Sequence, residues 1–166
     1  MSVTLRPARP DDAFLFALYA GTRADELAAW GWDAAQRDAF LVMQFRAQQR
    51  HYEAAWPRAE HRVVCLAGRP IGRLLVAREP DEIRLVDIAL LPEHRGAGIG
   101  AGLIRGLLAE AARAGLPVRL HAARDSRARR LYERLGFVVV AAGRDPYLLM
   151  ERSAPLSPSS PGQVDE

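Results

Sequence analysis

Apolar residues change period along the chain, and each change marks an element. Val3 to Leu5 reads as a short strand. Asp11-Asp12 then stands where a helix cap would, ahead of Phe14, Leu15, Leu18 and Tyr19 at helical spacing, so a first helix is predicted there. After Gly31 a second helical stretch runs from about Asp33 to Trp56, with Phe40, Leu41, Phe45 and Tyr52 roughly on one face and Pro57 closing it. From Arg62 the pattern becomes that of strands: Val63 to Ala67, Ile71 to Ala77 and Ile83 to Leu91, joined by turns at Gly68-Arg69-Pro70 and Glu79-Pro80-Asp81. That spacing predicts an antiparallel meander. Ile99, Leu103, Ile104, Leu107, Leu108 and Ala111 next recur at helical spacing until Gly115-Leu116-Pro117 stops them. Strands at Val118 to Ala122, Phe137 to Ala141 and Tyr147 to Met150, with a helix from Asp125 to Leu135 and a turn at Gly143-Arg144-Asp145-Pro146, complete a mixed α/β order.

Length limits this order to one domain, because 166 residues bury a core without room for a second. We place the domain at residues 1–152. Beyond Arg152 a run rich in Ser and Pro has too little apolar surface to offset the entropy of ordering, which predicts a disordered tail over 153–166. The start lacks the pattern of a signal peptide, and no apolar run reaches the ~18 residues of a membrane span, so a cytoplasmic protein without a membrane partner is expected. A single cysteine, Cys65, sits inside an apolar strand and reads as an inert core thiol. All 23 basic residues are arginine, yet the net charge is only +3, too small to argue for nucleic acid.

The chemistry concentrates where the third meander strand turns into the long helix, at Asp87-Ile88-Ala89-Leu90-Leu91-Pro92-Glu93-His94-Arg95-Gly96-Ala97-Gly98-Ile99-Gly100. Alternating glycines let the backbone take positive φ and approach a ligand, while the unpaired N–H groups of a helix's first turn converge on one point. Such a bend is an anion cradle for phosphate or pyrophosphate, with Arg95 at its edge. Gly96, Gly98 and Ala101 also satisfy the loose dinucleotide pattern G-x-G-x-x-A. That pattern belongs to the first βαβ unit of a parallel sheet with an acid closing the next strand, whereas here a meander precedes it and Arg124 follows the next strand.

Arg95, Gly98 and Gly100 match a Gln/Arg-x-x-Gly-x-Gly/Ala signature, and Asp125-Ser126-Arg127-Ala128-Arg129-Arg130-Leu131-Tyr132-Glu133-Arg134-Leu135-Gly136-Phe137 is similar to N-x-x-A-x-x-L-Y-x-x-L-G-F. Together they resemble the GCN5-related N-acetyltransferases (GNAT). The resemblance spans residues 3 to about 150. It implies a central mixed, mostly antiparallel sheet flanked by helices and splayed open at a cleft for acetyl-CoA. It also implies that Ile88, Ala89 and Leu90 lie along the pantetheine arm, with a free N–H near Leu90 as oxyanion donor. Arg95, Gly96, Ala97, Gly98, Ile99 and Gly100 would hold the pyrophosphate, and Tyr132 would protonate the departing sulfur. Asp87 is either the base that takes the amine's proton or a buried acid paired with an arginine, the two readings standing level. Asp125 replaces the family's usual Asn, either as a cofactor contact or as a plain helix cap. A homodimer is a further implication.

The resemblance leaves the acceptor to the two N-terminal helices, where Asp25, Glu26, Trp30, Trp32, Gln44, Gln48 and Tyr52 are candidate lining residues. Trp30 and Trp32 also read as core anchors around Gly31. A polyamine or antibiotic, an amino acid and a protein amino terminus all remain candidate acceptors. His94 and His121 lack a partner at metal-ligand spacing, and no metal is expected. Arg119, Arg124, Arg127, Arg129, Arg130 and Arg134 form no single stripe with stacking aromatics, so an arginine-rich RNA-associated protein is the weaker alternative. The other alternative is a module that binds acyl-CoA and senses without turnover.

Overall fold

The computed structural model describes residues 2–9, 11–144 and 146–155. Strand β1 (Val3–Pro7) leads into helices α1 (Ala13–Ala28) and α2 (Ala34–Ala55). The meander β2 (Glu60–Leu66), β3 (Arg69–Arg78) and β4 (Ile83–Leu90) follows, then a 3-10 turn (Pro92–His94) and α3 (Ile99–Ala114). The chain ends with β5 (Val118–Ala123), α4 (Arg127–Arg134), β6 (Val138–Ala142) and β7 (Tyr147–Arg152). Seven strands form one sheet in the order β1-β2-β3-β4-β5-β7-β6. Only β4 and β5 run parallel; the other neighbours are antiparallel. This mixed α/β sheet flanked by helices is the expected fold. Of the tail expected from 153, residues 156–166 lie outside the described residues, as does Asp145 of the predicted turn.

Local chemistry sets the helix ends. Asp12 accepts from the Phe14 amide at 3.1 Å and starts α1, while Asp33 and Gln36 bond each other's backbone reciprocally and start α2. One correction concerns α4. Its cap is Ser126, not Asp125: Ser126 is extended and its Oγ accepts from the Arg129 amide at 3.2 Å, so the helix begins at Arg127 and Asp125 stays outside, exposed. A hydroxyl one residue later reaches the third helical N–H just as a carboxylate would, and residue type alone does not separate the two caps.

Alternation along the strands divides the interior into two cores. Val63 and Cys65 face α1 and α2, packing with Leu15 and Phe45. Val64, Leu74, Val76, Ile83, Leu85 and Leu120 face the other way, against Ile104, Leu107 and Ala111 of α3, Tyr132 of α4 and Leu135 just after it. The Cys65 thiol is free and buried. No helix among the described residues is long and apolar enough to cross a membrane.

Strand β4 departs from regular pairing on both of its edges. On the β3 side the register passes from Leu85 opposite Val76 to Asp87 opposite Leu75, leaving Val86 as an extra residue, a β-bulge that bends the strand. The bulge also flips the alternation, so that Ile88 and Leu90 turn to the α3 side while Asp87 and Ala89 turn towards α1 and α2. On its other edge β4 pairs with β5 only over Ile83 to Leu85. From Val86 onwards that edge is free, and the sheet is open between β4 and β5.

Candidate active site

The open edge carries unpaired backbone groups. Leu91 N donates to Ile71 O at 2.8 Å, and antiparallel ladders alternate, so the amides of Leu90 and Ile88 point away from β3 towards the gap. Beyond the strand the chain bends through Gly96 (φ 77°) and Gly98 (φ 84°), left-handed conformations that a side chain would strain. Gly98 is the N-cap of α3 and no side chain caps it, which leaves the first-turn N–H groups open. A Cβ placed on Gly96 or Gly98 would meet nothing within 4 Å, so the space over the bend is clear. A cavity of about 490 Å³ lies there, walled by Leu90, Gly96 and Gly98 to Ala101 of the bend, Arg95, Arg105, Leu131 and Arg134 of α4, and Leu135 just after it. Arg95 turns back so that its Nε donates to Leu90 O at 3.0 Å, tying the bend to the strand.

A second cavity, about 730 Å³, opens on the other side of β4. Asp87, Ile88 and Ala89 form its floor with Arg73 of β3, and α1 supplies Leu15, Leu18, Tyr19, Thr22, Arg23 and Glu26. Gln48, Ser126 and Tyr147 close the sides. Asp87 is ion-paired with Arg73, whose Nε donates to Asp87 Oδ2 at 2.6 Å and whose Nη2 approaches the same oxygen. Arg73 is only 4% exposed, and its Nη2 also donates to Gln48 Oε1 at 2.9 Å. Tyr52 lies behind this pair, its ring centroid 5.6 Å from the Arg73 guanidinium carbon. Burial first, and the Asp87 charge second, push the Tyr52 phenol well above its ordinary range.

Tyr132 is 7% exposed and packs against Phe137 at 5.8 Å between ring centroids. Burial, followed by the nearby Asp87 carboxylate, pushes its pKa up to about 12. It walls neither cavity directly, but its neighbour Leu131 lines the first and Ser126 of the same segment lines the second.

These features agree with what sequence comparison shows. The family model described as "Acetyltransferase (GNAT) family" matches residues 24–137, more than half of the chain. The chain belongs to the acetyltransferase (GNAT) family. No curated protein matches it in sequence. Solved structures match in fold. PaiA N-acetyltransferase from Thermoplasma acidophilum, in complex with coenzyme A, is 17% identical with a TM-score of 0.67 over 92% of this chain and 99% of that one. The histone acetyltransferase HPA2 and related acetyltransferase from Corynebacterium glutamicum is 24% identical, TM-score 0.64, over 96% and 100%. The ribosomal-protein-S18-alanine N-acetyltransferase from Escherichia coli is 19% identical, TM-score 0.59, over 97% and 99%. Acetyl-CoA is the acyl donor of GNAT enzymes, and the glycine bend suits its pyrophosphate.

The expected site residues separate in space. Asp87, Ile88, Ala89, Leu90, Arg95, Gly96, Gly98, Ile99 and Gly100 line the two cavities, and Ala97 lies within the bend. Asp125 lines neither. On the acceptor side only Gln48 and Glu26 of the expected set reach the larger cavity. Trp30 and Trp32 instead stack edge-on with each other at 5.2 Å and against Phe40, and at 46% and 37% exposed they are not core anchors and line neither of the two cavities. Gln44 lines neither of the two cavities, and Tyr52 belongs to a separate one of about 210 Å³. Sequence reading missed Arg73, although a lone charge inside the apolar run Ile71 to Ala77 is the same signal that singled out Asp87. It also missed Leu15, Leu18 and Thr22, which with Glu26 form a helical stripe that continues the apolar face of α1 into polar residues.

His121 Nδ1 stands 3.2 Å from Arg84 Nη1, and since arginine only donates, Nδ1 accepts and the proton sits on Nε2. Arg119 is bound to Glu82 at 3.3 Å and Glu151 at 3.6 Å, and Arg129 to Glu133 at 2.8 Å, so these cations serve the sheet and α4. Among the described residues no group of three or more His, Cys, Asp and Glu is placed to hold a metal ion.

His61 lines the small cavity beside Arg73, with a buried Nε2 that has no partner among the described residues. Burial first, then the Arg73 charge, lowers its pKa below 6.5. The unfolded chain therefore takes up a proton near pH ~6.5 that the folded one refuses, and stability present above that pH is lost as the pH falls below it. Unfolding free energies from urea titrations should drop between pH 7.5 and 5.5, by at most about 1.4 kcal/mol per pH unit for this group. His61→Leu should flatten the drop, and a variant with the wild-type slope would remove His61 from the explanation.

Proposed function

We propose that the chain transfers the acetyl group of acetyl-CoA to a primary amine held in the larger cavity, by direct attack. The observation that carries this reading is the continuity of one strand through both cavities. Asp87 and Leu90 are three residues apart, about 10 Å at the rise of a strand. Leu90 borders the glycine bend and Asp87 to Ala89 border the acceptor space. A donor laid along the free edge of β4 would reach from one into the other.

Bound acetyl-CoA supplies a thioester whose carbonyl carbon accepts the amine. The bend from Arg95 to Gly100 offers converging N–H groups to the pyrophosphate, and Ile88 offers its free backbone N–H and C=O to the pantetheine amides, while Arg95 occupies the Leu90 carbonyl. The Leu90 amide points into the gap, where it can donate to the carbonyl oxygen as charge grows there. Asp87, held by Arg73, presents a carboxylate to the amine and takes the proton that leaves it as the C–N bond forms. Tyr132 gives its phenolic proton to the sulfur as the C–S bond breaks, and solvent restores it. The setting is cytoplasmic, in line with the free thiol of Cys65.

Calorimetry with acetyl-CoA, with NADPH as the competing ligand, tests the cofactor site. Gly98→Trp places a bulky side chain at φ 84° over the bend, and its affinity for acetyl-CoA should fall by at least about 100-fold, or 2.7 kcal/mol. Binding of NADPH without binding of acetyl-CoA would sink the acetyltransfer reading and restore the dinucleotide one.

A further inference from the structure

We propose that the acceptor is a zwitterion, an amine that carries a carboxylate in the same small molecule, as an α-amino acid does. Asp87 would receive its amino end, which gives its ammonium proton to solvent before attack and its second proton to Asp87 as the C–N bond forms, and Arg23 would hold its carboxylate. This rests on reading the larger cavity as the acceptor site.

Four charged side chains line that cavity, and they come as two pairs of opposite sense. In the inner pair the cation is the buried member. Arg73 is engaged by Asp87, Gln48 and the face of Tyr52, whereas the Asp87 side chain is 24% exposed. Both Arg73 contacts fall on Asp87 Oδ2, and among the described residues Oδ1 receives no donor. The charge that the inner pair offers a ligand is therefore negative.

In the outer pair the acid is the solvated member. Arg23 and Glu26 stand one turn apart on α1, with Arg23 Nε donating to Glu26 Oε2 at 2.8 Å. The Glu26 side chain is 54% exposed, while Arg23 is steadied by the Tyr19 hydroxyl, which accepts from its Nη1 at 2.9 Å. Its Nη2 reaches Glu26 Oε1 only at 3.5 Å, the weakest of its contacts. Exposed pairs of this kind contribute little, so a substrate carboxylate can replace Glu26 on the guanidinium fork at small cost. The outer pair thus offers a positioned cation.

The same balance of charge disfavours a polyamine. With its first amine at Asp87, its second ammonium would find Glu26 as the remaining acid lining this cavity among the described residues, and Arg23 Nε already donates to that carboxylate at 2.8 Å. A lining of balanced charge favours a ligand with one end of each sign.

The test measures thiol release at saturating acetyl-CoA with three acceptor sets: free α-amino acids, the matching carboxamides, and spermidine. Free acids should exceed their amides by about tenfold or more in kcat/KM, chiefly through KM. In Arg23→Gln that ratio should fall to about one, and because it is taken within one protein preparation, a loss of active fraction does not alter it. Amides or spermidine turned over as well as the acids would overturn the zwitterion and leave acetyl transfer standing, as would an unchanged ratio in Arg23→Gln for the role of that arginine. A protein that binds acetyl-CoA and acetylates none of the three sets would overturn the zwitterion, and if it acetylates no peptide amino terminus either, acetyl transfer falls with it.

Discussion

Tyr132→Phe should lower kcat by about 100-fold or more while acetyl-CoA affinity stays within about twofold, the range seen when one positioned proton donor is removed. The substitution takes away a hydroxyl and keeps the ring against Phe137, so the core is preserved and stability should change by no more than about 1 kcal/mol. The pH profile gives a second readout. Because burial and the Asp87 carboxylate push this phenol up to about 12, it remains protonated through the range in which the enzyme can be assayed. The wild-type rate should therefore show no alkaline loss from Tyr132 below about pH 10, where an unperturbed phenol would begin to titrate. Steady-state kinetics with calorimetry on the same preparation checks both. A variant that keeps a third of wild-type kcat would remove Tyr132 from the chemistry and pass the thiolate's proton to water.

Sequence periodicity revealed the elements because each is amphipathic in a way that its own residues report. The meander, α3 and the glycine bend are local: turn residues and spacing within a dozen positions determine them, and the structure has them where the pattern puts them. The acceptor side was less legible, for a physical reason. Which residues of α1 and α2 reach the cavity depends on how those helices are rotated against β3 and β4, and that depends on non-local packing of Leu15 and Phe45 on Val63 and Cys65. Trp30 and Trp32 met the local criteria for a pocket or a core, yet they line neither of the two cavities and pack with Phe40 on the surface. The Arg73–Asp87 pair shows the same limit from the other side. Sequence presented an acid on a strand and left base and ion-paired acid level; the partner lies on the neighbouring strand, and only the sheet register brings it within 2.6 Å. The bulge at Val86 was invisible too, since an extra residue within an apolar run leaves the run apolar.

Gly72→Ala should destabilise the fold and weaken acetyl-CoA binding together. Gly72 sits opposite Leu90 in the β3–β4 ladder, where a Cβ would lie 2.3 Å from Ala89 O, 2.6 Å from Leu90 Cδ2 and 3.2 Å from Leu90 Cα. Two of those atoms are backbone, so the strands must part for the methyl group to enter. Overpacking of this kind costs about 1–3 kcal/mol. The same displacement moves Leu90, whose amide faces the gap and whose Cδ1 would be 3.9 Å from a Cβ on Gly100 in the first turn of α3. Strand edge and cradle would shift relative to each other, and a donor that spans both should bind at least about tenfold more weakly. Gly106→Ala is the control. It lies within α3, a Cβ there would meet nothing within 4 Å, and replacing a helical glycine should add about 0.5–1 kcal/mol with no change in acetyl-CoA affinity. Urea denaturation and calorimetry on the two variants separate the cases. If Gly72→Ala lost stability but bound acetyl-CoA as the wild type does, the position of Leu90 would not matter to the donor, and the proposal that β4 presents its free edge to pantetheine would fail.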